Sequence, residues 1–237
     1  MLRLRLCLSA LLTVAPALPA PADGFFAAGE GGWSHLMDKR TFSEGSPNSA
    51  GPQPGLGVQD IWGNGYAAGA RLGYQWGPWR LEEEGVFRDN PLSRQLLFST
   101  ATGHAVQTGV NMGTGGYRRS LAAMTNVLFD VDLRWVGLYW PVSPHLGVGV
   151  GAARLFALTR GQNTTITDST DTKFAYQGII GIHHEFDDSF EVDLDWRYFA
   201  TTDPTFARAN GTSFSSNYEN QTLMLSLVYR FQPPWPQ

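Results

Sequence analysis

A single cysteine, Cys7, occurs in the 237 residues, and it lies in the first ten. Intrachain disulfides and cysteine-based metal sites are thereby excluded. Charge is also scarce. Only 16% of the residues are charged, and 21 acids stand against 17 Lys and Arg. That acidic balance argues against nucleic acid as a partner. No stretch approaches 18 consecutive apolar residues, so no membrane-spanning helix is expected. This last absence leaves barrels open, because each strand of a membrane barrel carries only a weak hydropathy signal.

What the chain does have is 13% aromatic residues and 27 glycines. Such a profile suits an all-β protein with many turns. Its length is enough for one barrel or one to two ordinary domains. The N-terminus reads as a secretory signal. Arg3 and Arg5 precede the apolar run Leu6 to Val14, and Ala20-Pro21-Ala22 supplies a small-residue cleavage site. Residues 1–22 are therefore expected to be removed before Asp23. Ala15-Pro16-Ala17 is an earlier site, so the cut is placed only between Ala17 and Ala22. The apolar run is too short for an anchor. Cys7 starts the run rather than ending it, which does not suit lipidation. Removal would leave 15 basic against 21 acidic residues, a formal charge of −6.

Residues Phe190-Glu191-Val192-Asp193-Leu194-Asp195-Trp196-Arg197-Tyr198 alternate large apolar and charged side chains. Strand side chains alternate faces, so one face is apolar and the other carries three carboxylates and a guanidinium. Seven further segments behave similarly: near 24–35, 65–76, 79–89, 121–135, 144–158, 173–186 and 219–231. In the segment near 144–158, a row of glycines (Gly147, Gly149, Gly151) leaves room for long side chains from across a narrow barrel. Arg118 to Asn126 offers a helical start as an alternative to strand. Tight turns at Gly77-Pro78 and Asp187-Asp188 and a modest one at 136–143 alternate with long polar connections at 36–64, 90–120, 159–172 and 199–218. Short turns on one side and long loops on the other are the pattern of bacterial outer-membrane barrels. Aromatics such as Trp76, Trp79, Trp135, Trp140 and Tyr229 gather at the short-turn edge, where a membrane interface favours them. Two charges break the pattern. Glu83 and Arg154 fall on the apolar face; a bulge near Glu82 to Glu84 would restore the first.

The expected fold is an all-β, eight-stranded antiparallel up-and-down transmembrane barrel over residues 23–231, with a short tail at 232–237. Glu30, Arg71, Arg80, Glu82, Glu84, Arg88, Asp130, Asp132, Arg134, Glu185, Glu191, Asp193, Asp195, Arg197 and Arg230 should then share one lumen. Eight strands enclose an interior that side chains just fill, so the charges should pair across it and plug it. Asp193 and Asp195 belong to this face and are not read as an acid–base pair. His183 and His184 point to opposite faces and cannot chelate one metal together. No catalytic, cofactor or metal site is expected.

The chain resembles the small outer-membrane β-barrels, the superfamily of OmpA-type membrane domains and opacity proteins. Trp79-Arg80-Leu81-Glu82 and Phe186-Asp187-Asp188-Ser189-Phe190 carry part of the likeness. Its most specific part is Leu223-x-Leu225-x-Leu227-x-Tyr229-x-Phe231, which is similar to the C-terminal β-signal. Gln232 to Gln237 follow it, with three prolines, where relatives end on the aromatic residue. The peptidoglycan-binding module of longer relatives is not expected. The resemblance implies the outer membrane of a Gram-negative bacterium, with lipid and lipopolysaccharide around the wall. It also implies the barrel-assembly machinery as an insertion partner, and a host or surface ligand met through the loops. The implied role is structural or surface-interacting: envelope integrity, adhesion or antigen display. A narrow porin for small solutes or ions is the runner-up. A lipid A-modifying enzyme and a soluble lipocalin-like binder are further alternatives. The former lacks a His–Ser pair at the outer rim and the latter an apolar interior.

Overall fold

The computed structural model describes residues 23–37, 39–41, 56–99, 105–107, 115–138, 140–160, 165–209, 211 and 213–231. The expected signal segment and the tail lie outside the described residues. Thirteen strands follow in order: β1 (Gly24–Leu36), β2 (Lys39–Thr41), β3 (Leu56–Trp62), β4 (Asn64–Trp76), β5 (Trp79–Ser99), β6 (Ala105–Gln107), β7 (Gly115–Asp130), β8 (Ser143–Arg160), β9 (Thr165–Glu185), β10 (Phe190–Thr201), β11 (Thr205–Ala207), β12 (Ser213–Ser215) and β13 (Glu219–Arg230). Eight of them form a closed antiparallel wall, in the order β5-β4-β1-β13-β10-β9-β8-β7, with β7 returning to pair β5. Closure leaves no unpaired edge in the wall. The short β2, β3 and β6 extend from the far half of β5, and β11–β12 is a separate hairpin.

One rim gathers the tight connections. Gly77 takes a left-handed φ of 54° in the turn to β5, where a Cβ would be strained. The turn into β10 is held by Asp187 Oδ1, which accepts from Ser189 N at 2.7 Å and Phe190 N at 2.8 Å. Asp23 and Phe231, the described ends of the barrel, lie at this rim too. By the rule for bacterial barrels this is the periplasmic side, and the rim of long connections is external.

Burial alternates residue by residue along β1, β4, β7, β8, β10 and β13. The outward members are large and apolar: Val148 is 67% exposed, Leu225 57% and Ile180 62%. The inward members are polar or small through much of the lumen, with larger apolar side chains such as Leu128, Leu155 and Phe199 interspersed. The glycine row of β8 is where close approach matters. A Cβ on Gly149 would overlap Asn126 Oδ1, and one on Gly151 would crowd Met124.

The sequence expectation differs from the structure in several places, and the expected loops 36–64 and 90–120 hold the short strands β2, β3 and β6. The segment expected over 121–135 ends as strand at Asp130. Leu133–Val136 instead forms a 3-10 turn, capped by Asp132 at its start and by Gly137, with φ 77°, at its end. The Asp-x-Arg capping contact overrides the alternation there. The helical alternative for Arg118 to Asn126 is not adopted, since the whole stretch lies within β7. Finally, β5 and β9 run on to Ser99 and back to Thr165, well past the expected 79–89 and 173–186. Above the membrane both faces of a strand meet water, so apolar alternation stops marking strand that backbone pairing continues.

Candidate functional site in the barrel lumen

Three arginines organise the lower and middle lumen. Arg80, on β5, reaches Asp130 at 2.9 Å, Glu191 at 3.1 Å and Asp193 at 3.5 Å. Its Nη2 also meets Nδ1 of His145 and Nδ1 of His183, each at 3.2 Å. His145 Nε2 lies 2.8 Å from Asp195 Oδ1. A proton on Nε2 donates to that carboxylate and leaves Nδ1 as the acceptor Arg80 needs. Gln75 Nε2 donates to the other Asp130 oxygen at 3.0 Å. One layer up, Arg71 on β4 pairs with Asp193, with Asp195 at 3.4 Å and with Glu82 at 3.5 Å. Arg197 on β10 binds Glu30 at 2.8 Å, Glu84 at 2.8 Å and Asp195 at 2.7 Å. Asn126 and Gln177 donate to Glu84 Oε2 at 2.6 and 2.9 Å. The contacts Arg80–Glu191, Arg71–Asp193, Arg197–Glu84 and Gln177–Glu84 join strands that are not neighbours in the wall, so they brace it from within.

Above this network the chemistry changes. Ser34, Asn90 and Asn220 form a neutral hydrogen-bonded cluster at 2.9–3.1 Å. Over it lies an apolar layer that includes Leu36, Trp62, Leu155, Phe199, Phe206 and Tyr218. Phe206 comes from β11, so the connection from β10 to β13 folds into the outer mouth.

Of the fifteen residues expected in the lumen, Glu30, Arg71, Arg80, Glu82, Glu84, Arg88, Asp130, Glu191, Asp193, Asp195 and Arg197 are buried inside the barrel. Four are not. Asp132 and Arg134 sit outside the wall, in the turn after β7, and bind each other at 2.9 Å. Arg134's side-chain hydrogen bond holds the Asp132 carboxyl below its usual range. Glu185 is exposed at the periplasmic rim, where it meets the half-buried Arg230 at 3.2 Å; Arg230 also binds Glu191. The strand ends before the lumen closes over these positions, so parity alone placed them wrongly. His145 was missed although its parity matches the glycine row. Neutral Asn126 and Gln177 have the inward parity too, and they join the network as donors to Glu84, a role that charge alone does not mark.

The bulge expected near Glu83 is absent: β4 and β5 stay in register, with Leu72 opposite Glu83. Glu83 faces outward and accepts from Thr125 Oγ1 at 2.7 Å across the strand pair. Arg154 is exposed on the outward face, with its guanidinium over Phe156 at 5.4 Å.

Among the described residues, two groups have the spacing of a metal site: Asp130, His145 and His183, and His183, Glu185 and Glu191. In the first, Arg80 Nη2 hydrogen-bonds all three residues. In the second, Arg230 spans both carboxylates. Both sets are arranged around a guanidinium and do not fit a cation as they stand.

An apolar outer belt, a closed eight-stranded wall and a charged lumen define an integral outer-membrane β-barrel. The chain belongs to the outer membrane protein beta-barrel domain family, whose model matches residues 6–231. It is 27% identical to an outer membrane protein of Gluconacetobacter diazotrophicus, over 99% of this chain and 66% of that protein's length. Its fold is similar to that of the outer membrane protein OprG from Pseudomonas aeruginosa, with TM-score 0.54 and 11% identity over 89% of this chain and 97% of that one. Neisserial surface protein A is also similar in fold, with TM-score 0.51 and 13% identity over 88% and 97%. The chain is thus an outer-membrane protein, set among lipid and lipopolysaccharide.

Proposed function

We propose that this barrel is a closed-lumen, non-enzymatic surface protein that serves envelope integrity, adhesion or antigen display. One observation carries the reading: Arg71, Arg80 and Arg197 tie strands together across the full width of the interior. A lumen so crossed has no continuous water column. The long external connections are the surface through which a host or other ligand would be met. In planar bilayers the wild-type chain should give no unitary conductance, whereas replacing Arg80 and Arg197 together with serine should open steps. Defined steps from the wild type would favour the narrow porin instead. That second reading has its own support: eight buried carboxylates, Asp60 at the mouth included, face five buried arginines, Arg88 and Arg118 included, among the described residues, a balance that suits small cations.

We further propose that Leu223, Leu225, Leu227, Tyr229 and Phe231 present the assembly signal. All five face outward along β13 or just past its end, in a row that runs down to the periplasmic rim at Phe231. Phe231→Ala should cut the heat-modifiable, membrane-inserted fraction without changing synthesis. Equal insertion would remove Phe231 from the signal.

A further inference from the structure

Two arginines in the outer part of the lumen make no direct ion pair with a carboxylate among the described residues, although Glu84 and Glu30 lie within electrostatic reach of Arg88. Arg88, on β5, has no exposed surface. Its Nε donates to Thr222 Oγ1 at 3.3 Å, and its guanidinium lies 4.2 Å from the centroid of the Phe199 ring. Nη1 and Nη2 have no hydrogen-bond partner among the described residues. The carboxylates below it are already committed. Glu84 holds Arg197, Asn126 and Gln177, and Glu30 holds Arg197 and Ser226.

Arg118, on β7, lies diagonally across the strand pair from Arg88, since Arg88 is opposite Ser120 and Arg118 is opposite Asn90. It is 5% exposed. Phe206 lies 4.3 Å from its guanidinium, and Trp62 and Phe214 lie 5.4 Å away. Its Nη1 also has no partner among the described residues. Tyr218 is within electrostatic reach of both guanidinium groups, but its hydroxyl is given to Ser120 at 3.2 Å. Arg118 opens onto a pocket at the external mouth whose lining includes Asp60, Trp62, Ser216, Asn217 and Tyr218.

A guanidinium among aromatic walls gains from their π faces, but its free N–H groups remain costly until an acceptor arrives. The two cations lie on adjacent strands within reach of the same Tyr218, and Asp60 is the carboxylate on the wall of the pocket that Arg118 lines. An oxyanion satisfies both deficits, because its oxygens match the planar N–H fork and its charge offsets the pair. We propose that Arg88 and Arg118 form an anion site in the outer lumen, which takes one sulfate, phosphate or carboxylate group from the external medium. The lumen is then polarised, with anion-receiving chemistry above and surplus carboxylates below.

The test uses sulfate as the probe and the full mature chain refolded in neutral maltoside micelles, with ionic strength held constant. Arginine Nε–Hε NMR resonances are followed through the titration. Saturable shifts confined to Arg88 and Arg118, with Arg80 and Arg197 unmoved, are expected. Arg118→Met should weaken the apparent affinity about tenfold, as loss of one charge-assisted hydrogen bond implies. Arg119→Met, at the neighbouring pair with Asp89, should leave it unchanged. Linear drift common to all arginines, or unaltered binding by Arg118→Met, overturns the site. Should Arg118→Met fail to refold, Arg118→Lys keeps the charge without the fork, and the wild-type titration decides by itself. A conducting wild-type barrel would overturn the closed-lumen reading while leaving this titration to judge the anion site separately.

Discussion

Arg197 shows how much one side chain carries. It is fully buried and is shared by Glu30, Glu84 and Asp195. Arg197→Met would leave three carboxylates without their common cation in a compartment that water barely reaches. The expected cost is about 3–5 kcal/mol, the range for breaking a buried ion pair. Urea unfolding from lipid vesicles at neutral pH measures it, and a loss below about 1 kcal/mol would mean that water or another cation fills in. Most of this cluster was legible in the sequence, because strand parity assigns every charge from Glu30 to Arg197 a face. What parity does not supply is height along the barrel axis. Asp132 and Arg134 keep the right parity but lie beyond the wall, and His145 enters the network through its contacts with Arg80 and Asp195.

At the level of the strand, β5 carries two adjacent glutamates in opposite surroundings. Glu84 points inward and is bound by Arg197, Asn126 and Gln177; Glu83 points outward and, among the described residues, has Thr125 as its partner. Leucine at these two positions should therefore act with opposite sign. Glu83→Leu should leave stability unchanged or raise it by up to about 2 kcal/mol, since it removes a charge from the lipid face. Glu84→Leu should lower it by about 3 kcal/mol or more, because Arg197 loses a partner. The two chemical midpoints, measured in the same vesicles, decide the matter; equal shifts would imply that the strand is rotated. Strand existence was readable wherever apolar residues recur at every second position. The external ends of β5 and β9 were not, because nothing there selects one face for lipid.

For the molecule as a whole, the decisive quantity is which solvent touches the belt. Trp196 is 41% exposed on β10, on the face opposite Asp195 and Arg197. Acyl chains brominated at the depth of the bilayer core should quench its fluorescence in a variant that keeps it as the sole tryptophan. An aqueous quencher such as acrylamide should not. The reverse result would place this face in water and undo the membrane assignment. Closed eight-stranded architecture was foreseeable from the alternation of short and long connections, whereas the inward fold of the Phe206 hairpin was not. That hairpin is recruited by aromatic and arginine side chains that come from distant strands.

The seam of the wall joins β1 to β13, the first and last of the eight strands. A ribosome finishes one long after the other. Until the final residues emerge, the growing polypeptide has a ribbon with two raw margins and an oily exterior, neither of which it can hide alone. Commitment to the native state therefore comes only when β1 and β13 meet.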